Sequence, residues 1–227
     1  MAYTTINKST DYFNTKLYSG TGSAQDITGL DFQPDFNWIK RRNTTGSHRI
    51  QDAVRGSTKY LASNATDGEV DAGDVDAFLS NGFSLDSGST AYNASGSTYA
   101  SWNWLANGTG SANTDGTISS TVSANTTSGF SIVSWSGTGS NGTIGHGLGD
   151  TPSLMIIKNR NNVGEWRVWN STFNADQYLY LNRTDAVATQ SILFNSTLPT
   201  SSVISAGTSG DINSSGRTYI AYCFAEK

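Results

Sequence analysis

Two histidines and one cysteine are the only residues of their kinds in this 227-residue chain, and their surroundings form no familiar catalytic set. His48 and His146 stand in unlike contexts, and neither accompanies a Gly-x-Ser-x-Gly elbow that would present a serine to a histidine base. Cys223 lacks a second thiol for a disulfide or a Cys-based metal site. The letters Gly137-x-Gly139-x-x-Gly142 follow a strand-like run, but no helix-forming stretch comes next to offer its N-terminus to a pyrophosphate. The acidic run 67–76 alternates oxygen ligands as a calcium loop does. Its glycine falls one place late, at Gly73, and its twelfth position is Phe78 where a bidentate glutamate belongs, so it reads as a solvated loop. No catalytic residue, metal ligand or cofactor is assigned.

Binding chemistry is better represented. Lys40, Arg42 and Arg49 recur at the same spacing as Lys158, Arg160 and Arg167. On a strand Lys40 and Arg42 share one side, and a neighbouring strand would bring Arg49 alongside. Such a set serves either as ion pairs and turn caps or as a repeated site for an anionic group on a glycan or a partner protein. A sugar presents hydroxyls and an apolar ring face, and Trp166, Arg167, Trp169 and Asn170 put two indoles and several donors within five residues.

These groups correspond through an internal duplication. Ser19-Gly20-Thr21-Gly22-Ser23 returns as Ser136-Gly137-Thr138-Gly139-Ser140, each after an aromatic residue, Tyr18 or Trp135. The register continues through Gly29-Leu30 with Gly147-Leu148, Pro34 with Pro152, Ile39-Lys40 with Ile157-Lys158, and Tyr60-Leu61 with Tyr178-Leu179. It ends with Asn93, Ser95-Gly96 and Thr98-Tyr99 on Asn213, Ser215-Gly216 and Thr218-Tyr219. Trp38, Trp102 and Trp104 align with Ile156, Tyr222 and Phe224, which predicts packing positions. Trp166 and Trp169 align with polar His48 and Gln51, which predicts exposure and makes them the candidate stacking platform. No carboxylate pair recurs between the copies as a glycosidase would suggest.

The copies bound the domains: 1–106, a linker of Gly, Ser, Thr and Asn composition at 107–124, and 125–227. Within the linker, 117–122 is able to add an edge strand. Runs at 13–18 and 130–135, at 36–42 and 154–160, and the alternating Ala100, Trp102, Trp104 and Ile220, Tyr222, Phe224 read as strands. Such strands between glycine-rich turns predict an all-β chain of two tandem homologous antiparallel β-sandwiches of jelly-roll type. A charged fraction of 14% with 36% hydrophobic residues supports a packed core rather than disorder. The net charge of −4 gives no cationic footprint for nucleic acid. No long apolar run or signal-peptide plan occurs, so neither membrane insertion nor signal-peptide export is expected. Eleven Asn-x-Ser/Thr triplets follow from composition alone.

At Phe36-Asn37-Trp38-Ile39-Lys40-Arg41-Arg42-Asn43, His48-Arg49-Ile50-Gln51-Asp52-Ala53-Val54-Arg55-Gly56, Asn81-Gly82-Phe83-Ser84-Leu85 and Tyr99-Ala100-Ser101-Trp102-Asn103-Trp104, the chain resembles repeats of virion proteins from marine and cyanobacterial tailed phages. Gly145-His146-Gly147-Leu148-Gly149, Ile157-Lys158-Asn159-Arg160 and Ile220-Ala221-Tyr222-Cys223-Phe224-Ala225-Glu226 resemble the companion repeat. The resemblance covers nearly the whole chain. It implies lectin-like domains and a non-enzymatic tail-fibre or appendage adhesin that contacts host surface glycans. Its partners would be other virion proteins, in a homo-oligomer or multicopy assembly put together in the host cytoplasm. The alternatives are a capsid decoration or head-fibre protein and, more remotely, a glycan depolymerase. Met1 leads almost at once into the first repeat, so no extended N-terminal anchor is expected, and similar chains continue beyond the equivalent of Lys227.

Overall fold

The computed structural model describes Thr4 and residues 6–227; the first residues of the polar N-terminal stretch, Met1, Ala2, Tyr3 and Thr5, lie outside the described residues. Regular structure is almost wholly antiparallel β, as the short alternating runs predict, with two four-residue helices and one short 3-10 turn among the described residues. The chain divides into two compact units. One comprises Ile6–Asn64 and Glu69–Thr109, and the other Gly110–Lys227 with Ala65–Gly68.

In the first unit the strands are β1 (Phe13–Ser19), β2 (Gln25–Thr28), β3 (Phe36–Arg41), β4 (Arg49–Asp52), β5 (Gly56–Ala62), β6 (Val70–Asp71), β7 (Val75–Leu79), β8 (Gly82–Leu85) and β9 (Thr98–Trp104). They form a sheet ordered β1-β9-β3-β4-β5-β6 and a smaller one ordered β2-β8-β7. The second unit contains β10 (Ser111–Asn113), β11 (Ser120–Asn125), β12 (Phe130–Ser136), β13 (Gly142–Gly145), β14 (Leu154–Asn159), β15 (Arg167–Asn170), β16 (Gln177–Tyr180), β17 (Ala188–Thr189), β18 (Val203–Ala206) and β19 (Thr218–Phe224). Here the large sheet runs β10-β11-β12-β19-β14-β15-β16-β17, and β13 pairs with β18. From β12 onward this order repeats that of the first unit. In both units the core draws on both sheets: Ile39 and Tyr99 meet Ile27, Phe83 and Leu85, while Val133, Met155 and Tyr219 meet Ile144 and Ile204.

The expected linker is a correction. Most of 107–124 belongs to the second unit, where β10 and β11 extend the large sheet beyond β12. Ser and Thr dominate its composition, yet Ile118, Ser120 and Val122 are all buried at a period of two, and Ile118 bridges Ile144. The acidic run 67–76 is likewise not all loop. It contains β6 and the start of β7, and Glu69 and Asp74 pair with Arg55 and Arg49 at 3.2 and 2.8 Å.

The repeated Ser-Gly-Thr-Gly-Ser turn is closed by a buried asparagine in each unit. Asn93 Oδ1 accepts the Thr21 N–H at 2.9 Å and its Nδ2 donates to Ser23 O at 2.6 Å. Asn213 makes the same pair with Thr138 at 2.9 Å and Ser140 at 2.7 Å, and adds Gly207 O at 2.8 Å. The turn lies so close to this loop that a Cβ on Gly20 or Gly137 would come within 2.3 Å of the Ala94 or Ser214 carbonyl oxygen. Those positions therefore require glycine. Next to each turn the ring before it stacks on the closing strand, Tyr18 on Tyr99 and Trp135 on Tyr219. Replacing Asn213 with Ala leaves three backbone groups without their partner, and the expected loss is about 2–4 kcal/mol. Urea unfolding of Asn213→Ala checks this; a change of only a few tenths would show that the turn is held by the strands alone.

Candidate functional site

Strand alternation decides where the sequence-predicted binding residues go. In the register Arg49 lies opposite Ile39, and Arg167 opposite Ile157, so each arginine faces the core side, away from Lys40 or Lys158. Arg49 pairs with Asp74 at 2.8 Å and lies 3.9 Å over the Tyr60 ring. Arg167 repeats this with Asp211 at 2.7 Å and the Tyr180 ring at 4.3 Å. Both guanidiniums are structural. Lys158 is fully buried, and its Nζ donates to the Thr66 and Asn159 carbonyls at 3.1 and 3.0 Å. Burial, opposed by Asp67 and Glu165, brings its ammonium down to about 8. Lys40 donates to Gly46 O at 3.3 Å, Arg42 is exposed, and Arg160 is half-buried beside Ser134. The duplicated cationic set is therefore not one repeated site.

The tryptophan platform is also corrected. Trp166 is 0% exposed and Trp169 3%. Trp169 lies opposite Met155 and packs with Tyr178 and Phe194, its Nε1 donating to Asn174 O at 3.3 Å. Three positions apart on an extended segment, the two indoles fall on opposite sides of the chain and cannot share a surface. Asn170 closes a turn, its Oδ1 accepting from the Thr172 N–H and hydroxyl. Polar equivalents misled the alignment, because Gln51, the counterpart of Trp169, is itself buried with its amide donating to Tyr92 Oη.

The accessible indoles are those predicted to be packing. Trp38 of β3 lies opposite Trp102 of β9, and Trp104 follows two residues on, so all three project from one face of the first unit's large sheet. With His48 they line an open pocket of about 310 Å³. Each of the four is half-buried. Phe13 and Phe36 hold Trp104 from both sides at ring separations of 4.5 and 5.1 Å, which fixes the floor. On the same face Leu17, opposite Ala100, is 58% exposed. His48 titrates below the ordinary histidine range, first because of burial and then because Lys40 is near. The result is an imidazole biased toward its neutral form at the edge of an aromatic hollow, which suits a ligand with an apolar face and hydrogen-bonding edges. A period-two reading of Trp38, Trp102 and Trp104 puts them on a common face; nothing local in the sequence says that this face is open.

Among the described residues no group of three or more His, Cys, Asp or Glu is placed to hold a metal ion, and no helix is long and apolar enough to cross a membrane. Compared with known proteins, residues 8–227 match the family model described as a domain of unknown function, DUF7483. No curated protein and no solved structure matches the chain.

Two outcomes follow for stability. Truncating Trp169 to Ala opens a large void in the second unit's core and is expected to remove about 3–5 kcal/mol, read as a lowered urea midpoint; a midpoint unchanged would mean the indole is not core. His146 is fully buried, with Nδ1 accepting the Leu148 N–H at 3.3 Å and Nε2 at 3.1 Å from Thr200 O, and burial lowers its pKa. The unfolded chain binds that proton more readily, so stability is full above about pH 6.5 and falls as the pH drops below it. Urea midpoints followed from about pH 8 to about pH 5 should show this slope, and His146→Gln should flatten it.

Proposed function

The chain belongs to the DUF7483 family, and from its own residues we propose that it is a non-enzymatic surface protein of a tailed-phage virion, a tail-fibre or appendage module that contacts host surface glycans through the first unit's aromatic pocket. The observation that carries this reading is the open hollow of Trp38, Trp102 and Trp104 with His48 at its edge. Sugar rings stack their C–H faces on indoles, and Trp104 here is already held between Phe13 and Phe36, so little ordering of that ring is lost on binding. The virion setting comes from the resemblance of the motifs around 36–43, 48–56, 81–85 and 99–104. The finer architecture belongs to the same proposal: two tandem homologous β-sandwiches of lectin-like type, supported by the shared strand order and by cores that draw on both sheets of each unit.

Titration of the protein with host surface polysaccharide is expected to shift its tryptophan fluorescence. Trp102→Ala should weaken that binding about tenfold, close to 1.4 kcal/mol, whereas Trp102→Phe, which keeps a ring, should retain most of it. Equal binding by wild type and Trp102→Ala would overturn the pocket. Mass spectrometry of purified particles tests the setting, and a chain abundant in lysate but absent from particles would overturn it. Copy number separates the tail from the head: a capsid decoration follows the multiplicity of the capsid lattice, an appendage that of the fibre.

A further inference from the structure

The aromatic pocket of the first unit is short of hydrogen-bond acceptors, and that shortage restricts what it can hold. Its lining side chains are Trp38, Trp102, Trp104 and His48. An indole has one N–H donor and no acceptor, whereas a neutral imidazole has one of each. His48 is therefore the single acceptor among the lining side chains. Its backbone is already engaged: the N–H donates to Asn64 Oδ1 at 2.8 Å, and the carbonyl accepts from the Ser63 N–H at 2.7 Å and the Ser63 hydroxyl at 3.1 Å. Those bonds fix the backbone that carries the ring. Among the described residues nothing bonds the ring nitrogens themselves. Trp38 Nε1 is buried without a partner and adds no reachable donor.

Every hydroxyl that enters such a lining must give its proton to an acceptor or lose the hydrogen bond it made in water. With one acceptor present, one hydroxyl is met. The rest of the ligand's buried edge has to be carbon and hydrogen, stacked on the indoles. In a pyranose of galactose configuration the C–H groups at C3, C4 and C5 make such an edge, but the hydroxymethyl group at C6 adds a hydroxyl beside them. A methyl group at C6 removes that hydroxyl and extends the apolar face. Three indoles also suit a quaternary ammonium. That ligand is disfavoured here, since Lys40 is near enough to depress the His48 pKa and no carboxylate lines the pocket among the described residues.

We infer that the pocket selects a 6-deoxyhexose of galactose configuration, its apolar face from C3 to C6 on the indoles and one ring hydroxyl on the His48 imidazole. The inference rests on the proposed reading of this pocket as a glycan site and names the sugar class that it takes.

Two-dimensional NMR of the indole N–H signals of the full chain, titrated with the methyl glycosides of fucose and of galactose in both the D and the L series, tests this, because each pair differs only by the C6 oxygen. In one series the fucoside should bind about tenfold more tightly than its galactoside, near 1.4 kcal/mol. It should shift the signals of Trp102 and Trp104 while those of the buried Trp166 and Trp169 stay in place. His48→Phe keeps a flat ring at a half-buried position and removes the acceptor, so it should weaken both sugars several-fold and leave their ratio unchanged. A galactoside bound as tightly as its fucoside in both series, or a ratio lost in His48→Phe, would overturn the deoxy-sugar preference and leave the glycan site standing. Pocket signals that move with none of the four sugars would overturn both, and choline bound more tightly than every sugar would replace both with a cation cage.

Discussion

A buried asparagine closing a Gly-Thr-Gly turn is the constraint on which each unit depends. Asn93 and Asn213 lie just before the closing strands β9 and β19, and the turns they hold follow β1 and β12. Each therefore ties the two strands that pair most extensively in its unit at the end where the chain leaves the sheet. An amide can do this because it offers an acceptor and two donors from one rigid group. The matching glycines let the backbones meet, and the stacked Tyr18–Tyr99 and Trp135–Tyr219 pairs cover the bonds from one side. With that end fixed, the register along β9 and β19 is fixed too, and so is the face on which every side chain emerges.

Alternation along those strands then separates structure from surface. On the core side the repeated arginines, Arg49 and Arg167, are consumed by Asp74 and Asp211 and by tyrosine rings. A guanidinium flanked by a carboxylate and an aromatic face has its charge balanced and its plane covered, which lets it sit in a core. On the opposite side of the first unit's sheet, Trp38, Trp102 and Trp104 find no such enclosure. The equivalent Tyr222 of the second unit is fully buried, although the residue class is the same.

The units diverge where the second gains two strands. β10 and β11 continue its sheet past β12, and β11 with the residues just before it buries Ile118 and Val122 and presents Ser119 and Thr121 on the face beside Arg160. A conserved internal scaffold with different additions thus gives one unit an aromatic hollow and the other a polar one. Ala65–Gly68 adds a further asymmetry, since it folds with the second unit and supplies the carbonyl of Thr66 that Lys158 bonds.

Much of this was legible in the sequence. The duplication, the all-β class, the opening and closing strands and the paired basic positions all follow from identities and short-range alternation, which are local properties of the chain. What was not legible was the fate of particular side chains. Gln51 and Trp169 are equivalent and both buried, because an amide whose nitrogen finds Tyr92 Oη sits inside even with its Oε1 unpaired, just as an indole sits among Met155, Tyr178 and Phe194. Ile118, Ser120 and Val122 alternate faintly within a run of Ser, Thr, Asn and Gly, so their strand is visible only once Ile144 lies beside them. Sequence by itself determined which residues two apart within one strand share a face, as Trp102 and Trp104 do. Tertiary structure alone decided which faces are covered, because covering is done by segments distant along the chain, and an apolar residue is the same letter whether a neighbour arrives or not.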